Sequence, residues 1–319
     1  MRRTLAATIA IVAMVVLAAP SAAADVSIGL DDDREGRYVT DHVAPGATVS
    51  RTVRIGNDGE APLEVEVSVG GAAIVDDRFT FDAEVPGADE LVSWASVLED
   101  RVTVPAGDDV RVDIDLLVPP EADAGERYGV IWAAVRGTDA SGTSVVNRVG
   151  VRIYLSVGDG PAPTRDVDLE LLAIERDDEG SLAGLLTVTN TGGRALDLRG
   201  EVTVGSAIGA MAPAHTVAPG DSTEVPIVFE PDADVQAGRQ DATVVVRAAG
   251  IERSGEATVV VPDGAGRRGP PASITSPTDR PGGVPVALAA LLAALVGAGV
   301  VVLARRRRAA SSSSSSSSS

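Results

Sequence analysis

The chain has no cysteine, no lysine, two histidines and few aromatics, 3% of 319 residues. Each shortage closes a class of function. Without cysteine there is no disulfide, no zinc–thiolate site and no thiol nucleophile, so stability must come from apolar cores. The two histidines, His42 and His215, each stand beside a Pro/Gly turn with no catalytic partner at useful spacing, and read as loop residues. No G-x-S-x-G elbow, S-x-x-K set, P-loop or strand–helix glycine fingerprint is present. Paired carboxylates abound, but a sugar-cleaving site normally adds aromatic walls that this composition does not provide. The acidic clusters Asp31-Asp32-Asp33, Asp76-Asp77 and Asp177-Asp178 lack the EF-hand ligand spacing and read as solvated loops. The sequence therefore predicts a protein that is not an enzyme and uses no cofactor or metal.

What is abundant is acid. The formal net charge is −19. Six of the 27 basic residues, Arg2, Arg3 and Arg305 to Arg308, lie at the two ends, so the middle is more acidic still. That balance argues against nucleic acid as a partner and against docking on anionic lipid. All basic residues being Arg, in a chain rich in Ala, Val, Gly and Asp, is the composition of a high-GC bacterial genome.

The ends predict export and anchoring. Arg2-Arg3, an apolar run from Leu5 to Ala19 and the small residues Ala22 to Ala24 have the layout of a signal peptide over 1–24. A second apolar run, 285–304, is just long enough to span a bilayer as a helix, and four arginines follow it. Positive charge beside a span favours the cytoplasmic side. The expectation is a single-pass type I membrane protein, its body extracellular or in the cell wall. The basic tail, 305–319, ends in a serine tract and would lie in the cytoplasm.

Between the ends the dominant period is two. Leu63, Val65, Val67 and Val69 alternate with polar residues, as do Val110 to Val118, Val149 to Val157 and Val225 to Phe229. Such runs mark strands with one wet face. Turn residues separate them: Pro45-Gly46, Asn57-Asp58-Gly59, Pro105-Ala106-Gly107, Asn190-Thr191-Gly192 and Pro219-Gly220. The halves also repeat one another. Gly107 and Gly220 lie 113 positions apart, as do Gly125 and Gly238. The spacing from Asn57 to Asn190 is longer, which places an insertion near Ala72 to Trp94 in the first copy. The predicted fold is all-β: two tandem immunoglobulin-like β-sandwich domains, 25–160 and 161–262, a Pro/Gly/Ser-rich linker 263–284, and one C-terminal transmembrane helix.

The large aromatics are the candidate ligand-binding residues. Trp94 and Trp132 could stack on a sugar ring, though core or domain-edge packing suits both positions. Tyr128, after Gly125-Glu126-Arg127, could brace a strand entry.

One resemblance bears on function. Ser93-Trp94, the Pro105-Ala106-Gly107 turn, Val118-Pro119-Pro120 and Ala124-Gly125-Glu126-Arg127-Tyr128-Gly129-Val130-Ile131 together resemble the peptidoglycan-binding domain of the WxL-interacting protein family. The likeness covers about Val26 to Val157. Met211-Ala212-Pro213 is similar to part of a family motif in the second domain, but Ala214-His215 departs from it. The resemblance implies a surface protein whose first sandwich binds cell-wall peptidoglycan, with other surface proteins as further partners. The alternative is a protein-binding scaffold or adhesion protein, working through sheet edges or loops, that never touches glycan.

Overall fold

The computed structural model describes residues 26–31, 37–138, 141–231, 233 and 235–276. The expected signal peptide 1–24, the expected span 285–304 and the expected tail 305–319 lie outside the described residues. Among the described residues, no helix is long and apolar enough to cross a membrane. The expected single-pass anchor falls on residues outside that description and is carried no further.

The fold is all-β, of the β-sandwich class. Its first half comprises ten strands and one helix. These are β1 (Val26–Leu30), β2 (His42–Val43), β3 (Thr48–Asn57), β4 (Leu63–Val75), β5 (Arg78–Phe81), α1 (Glu90–Trp94), β6 (Ala95–Val97), β7 (Arg101–Val104), β8 (Asp109–Leu117), β9 (Gly125–Thr138) and β10 (Ser144–Val157). One sheet has the order β1-β3-β8-β6. The facing sheet has the order β2-β10-β9-β4-β5, with β7 paired to β4. Period two decides what is buried. Val112, Ile114 and Leu116 of β8 face the core, where they meet Val53, Ile55, Val65, Ile131, Ile153 and Leu155. The alternate residues Asp113 and Asp115 accept hydrogen bonds from Thr52 and Ser50 on the neighbouring strand. Each buried aliphatic side chain contributes about 1.5–3 kcal/mol.

The second half adds β11 (Asp168–Arg176), β12 (Leu182–Thr189), β13 (Leu196–Asp197), β14 (Arg199–Val204), β15 (Ala207–Met211), β16 (Thr216–Val217), β17 (Ser222–Phe229), β18 (Gly238–Ala248), β19 (Ile251–Val261), β20 (Arg267–Arg268) and β21 (Ala272–Ser273). Its main sheet has the order β19-β18-β14-β15-β17-β12-β11-β20, with β21 also on β11, and β13 pairs with β16. A separate core fills it, built on Leu172, Ile174, Leu186, Val202, Ile227 and Val244. The strands β20 and β21 fall inside the stretch 263–284, which composition marks as linker; both pair with β11.

The internal repeat has a physical basis. Gly107 and Gly220 hold φ of +68° and +83°, and Gly125 and Gly238 hold +142° and +108°. Both spacings of 113 therefore mark backbone conformations that side chains rarely adopt. The two asparagines are matched as well. Asn57 is buried; its amide nitrogen donates to the carbonyls of Ala61 and Val104, and its side-chain oxygen accepts from Gly59 N–H. Asn190 is buried; it donates to Arg194 and Val217 carbonyls and accepts from Gly192 N–H. Each asparagine thus pins a turn to the next strand connection from inside the protein.

These asparagines yield a prediction. Asn190→Ala takes the donor from the Arg194 and Val217 carbonyls and leaves Gly192 N–H only its 3.2 Å bond to Asp166 O, and a buried group so stranded costs about 1–3 kcal/mol. We expect a loss of about 2–3 kcal/mol in urea unfolding, with a comparable loss for Asn57→Ala. A change below about 0.5 kcal/mol would show that water replaces the side chain without cost.

Candidate functional site

Over Tyr128 to Val135, the strand β9 at the middle of the first half's larger sheet is apolar on both faces. In β9, Ile131, Ala133 and Val135 enter the core. Their alternates Tyr128, Val130 and Trp132 are not polar; Trp132 and Val130 are buried too. A strand without polar alternation is one covered on both sides. The outer cover is aromatic. Of the chain's two Trp, three Tyr and three Phe, six gather here. Tyr154 has ring centroids of Phe79, Tyr38 and Tyr128 at 5.1, 5.7 and 5.8 Å, and Phe81 lies 5.0 Å from Trp132. Arginines stack on them: Arg152 is 4.7 Å from the Phe79 ring and Arg148 is 4.2 Å from Trp132. Gly150 makes room, since a Cβ there would come within 2.7 Å of the Trp132 ring.

At one end of this layer the two halves of the chain lock together through two carboxylates. Glu126, at the start of β9, accepts from Tyr128 Oη at 2.9 Å, from Arg194 Nε at 2.6 Å and from the backbone N–H of Ala195 at 2.7 Å. Asp197, from the second half, accepts from Tyr154 Oη at 3.0 Å, Arg152 Nη1 at 3.1 Å and Thr216 Oγ1 at 2.5 Å. Each half therefore supplies one anion and donors to the other's anion. Arg194 also donates to the Tyr154 carbonyl at 2.9 Å, and Thr216 N–H donates to Asp77 O at 2.8 Å. The Arg194 and Glu126 side chains are only 3% and 4% exposed. Burial, followed by the charge of Glu126, holds the Tyr128 phenol well above its ordinary pKa. Burial and the Asp197 charge do the same for Tyr154. Both phenols stay neutral and keep donating.

The same sheet has an open side. Residues 39–43 pair with β10 in parallel as far back as Ile153. The N–H of Val39 donates to Arg152 O, and the N–H groups of Tyr154 and Ser156 donate to Val39 and Asp41. Even-numbered residues of β10 thus turn their N–H and C=O away from β9. Before Arg152, no described strand pairs with them, so the backbone groups of Val146, Arg148 and Gly150 face away from β9 without a strand partner. Val145 and Val146 are exposed beside this edge, at 37% and 47%. The strand β19 ends its own sheet but carries Glu252, Arg253 and Glu256, charges of the kind that discourage strand addition.

Of the three residues singled out from sequence, Tyr128 and Trp132 share the aromatic layer and Trp94 lies apart from it. Trp94 ends α1, buried in the first core, with Arg127 5.7 Å from its ring. Trp132 lies in the outer aromatic layer, and Tyr128 donates into the joint. His42 does have a partner, Ser156 Oγ at 3.0 Å, 114 positions away. Ser156 is buried, and the other ring nitrogen of His42 faces Gly160 O at 3.3 Å, so the pair braces β2 on β10. Among the described residues no group of acidic or histidine side chains is arranged to hold a metal ion.

No family model matches the chain, and no curated protein matches it. Solved structures do. The Pseudomonas aeruginosa CupB2 chaperone is 15% identical over 70% of this chain and 97% of its own, with a TM-score of 0.39. The YadV chaperone is 14% identical over 73% and 99%, with a TM-score of 0.40. The Salmonella enterica SafA pilin in complex with the SafB chaperone matches at 14% over 70% and 89%, with a TM-score of 0.40. That no family model matches corrects the resemblance to WxL-interacting proteins, and the peptidoglycan partner and the cell-surface placement go with it. The physical reason lies in the motifs themselves. Pro105-Ala106-Gly107 and Ala124-Gly125 are turns with glycine at positive φ, needed by strand connections of this shape whatever the sheets bind.

The joint yields a prediction. Glu126→Ala leaves the Arg194 guanidinium buried without its counter-charge, which costs about 3–5 kcal/mol. Adding Arg194→Ala should recover part of that loss, giving a favourable coupling in a double-mutant cycle by chemical denaturation. Strictly additive effects would show that the pair is not coupled.

Proposed function

We propose that this chain is a non-enzymatic protein-binding module that takes up an extended segment of a partner polypeptide as an added strand along β10. The observation that carries this reading is the outward-facing edge over residues 144–151, flanked by exposed Val145 and Val146. An unpaired strand offers a row of donors and acceptors, and alternate side chains of an incoming strand would meet Val146 on one face and Val145 with the open margin of the core on the other. Val149 and Val151 already lean on that core. In this reading the halves are separate immunoglobulin-like domains, 25–160 and 161–262, and the joint holds the edge at a fixed setting. The reading rests on the edge and not on the names of the similar structures. The acidic charge of the chain favours a protein partner over nucleic acid.

The test uses the full chain in its producing cells, with a photo-crosslinking residue at Val145 or, as a control, at Leu117, an exposed residue of the other sheet. Protease-sensitive adducts should form from position 145 and not from 117. Val146→Pro removes one outward N–H without touching the β9 ladder, and should cut the adducts about tenfold, the effect of losing about 1.4 kcal/mol. The melting temperature of that variant should be unchanged. Equal adducts from both positions, or adducts indifferent to Val146→Pro, would overturn the reading.

A further inference from the structure

Beside the joint lies a cavity of about 620 Å³ within the body formed by residues up to Ile274. Pockets for small molecules span about 300–1,000 Å³. Its charge is the reverse of the chain's. Five arginines line it, at positions 37, 165, 194, 199 and 247, against three carboxylates, Glu126, Asp197 and Glu252. Each carboxylate is already taken: Glu126 by Arg194, Asp197 by Arg152 and Glu252 by Arg247. Arg37, Arg165 and Arg199 have no hydrogen-bond or ion-pair partner among the described residues. In a protein with 46 acidic side chains, three uncommitted guanidiniums around one cavity need a reason.

Two further features point the same way. Arg199 and Arg247 are direct cross-strand partners on β14 and β18. Like charges placed opposite one another destabilise a sheet. Arg165 is partly buried, and burial together with the positive charge of Arg194 lowers its pKa. Both arrangements cost stability in the empty protein, and an anion between the guanidiniums would offset both. The walls also contain apolar surface, from Tyr38, Ala195 and Ile251.

We propose that this cavity is a binding site for a phosphoryl or sulfuryl oxyanion, either free or carried on a small organic molecule. Guanidiniums pair with such tetrahedral oxyanions in bidentate fashion, and the anion's three oxygens can be shared among several guanidiniums as the two of a carboxylate cannot. The proposal does not depend on the strand-binding reading, because Arg165 and Arg199 lie away from the β10 edge in sequence and in sheet.

The test is calorimetric titration of the full chain at fixed ionic strength with inorganic phosphate, phenyl phosphate and acetate. Saturable one-to-one binding of phosphate is expected, at least about tenfold tighter than acetate. Arg165→Gln with Arg199→Gln should weaken it about tenfold or more, and Arg199→Gln alone, at an exposed position, should weaken it measurably in a protein whose melting temperature is no lower than that of the unaltered chain. Tighter binding of phenyl phosphate would identify an organic monoester as the ligand, and equal binding the free anion. The Val146→Pro variant should bind phosphate as the unaltered chain does, so this site and the strand-binding edge fail separately. Absence of saturable heat, acetate binding as well as phosphate, or unchanged affinity in the arginine variants would overturn the proposal.

Discussion

Two carboxylates, Glu126 buried and Asp197 half-buried, hold the halves of this protein to one another, and what the molecule can present to a partner depends on them. Glu126 belongs to the first half and is saturated largely by the second; Asp197 belongs to the second and is saturated largely by the first. A buried ion pair is a poor source of net stability, because desolvation offsets most of its attraction. It is a good source of specificity, because any other setting of the halves would leave a charge buried without its partner. Aromatic packing supplies the attraction that the ions do not. Phe79, Tyr38 and Tyr128 close around Tyr154, whose hydroxyl ends on Asp197. One tyrosine therefore joins the apolar layer to the ionic lock.

This arrangement also explains why aromatics are so few and yet so concentrated. Valine, isoleucine and leucine fill both cores, where period two suffices to bury them. The rings are kept for a face that must be apolar in its body and polar at its tip, which suits Tyr and cation-stacked Trp. The consequence is a sheet covered on its outer face near the joint and uncovered along the far part of β10. Arg148, stacked on Trp132 and bonded to Asp82 at 2.7 Å, marks the transition between the two.

Much of the fold was legible because it is local. The alternation of Val110, Val112, Ile114 and Leu116 announces β8, and the paired glycines announce turns repeated in both halves. The joint was not legible because Glu126 and Arg194 are 68 positions apart, and no local period encodes their meeting. A signal did exist. The run Tyr128 to Val135 lacks polar alternation, which marks a strand covered on both faces and therefore a second layer outside the sheet. The likeness to WxL-interacting proteins misled for the opposite reason. It rested on turn motifs, and turn motifs report backbone geometry rather than ligands. Within 263–284, the stretch composition marks as linker, Arg267–Arg268 and Ala272–Ser273 pair with β11, a long-range pairing that Pro and Gly content does not encode.

The most direct measurement is amide hydrogen exchange along β10, free and with a captured partner. In the free protein the odd-numbered amides Val145, Asn147 and Val149 should exchange slowly, because they are bonded to β9, whereas Val146, Arg148 and Gly150 should exchange fast. On binding, the even-numbered amides should become protected and the odd-numbered ones should change little. Even-numbered amides already protected in the free protein, or still fast in the complex, would contradict the claim that this edge is where a partner strand is received.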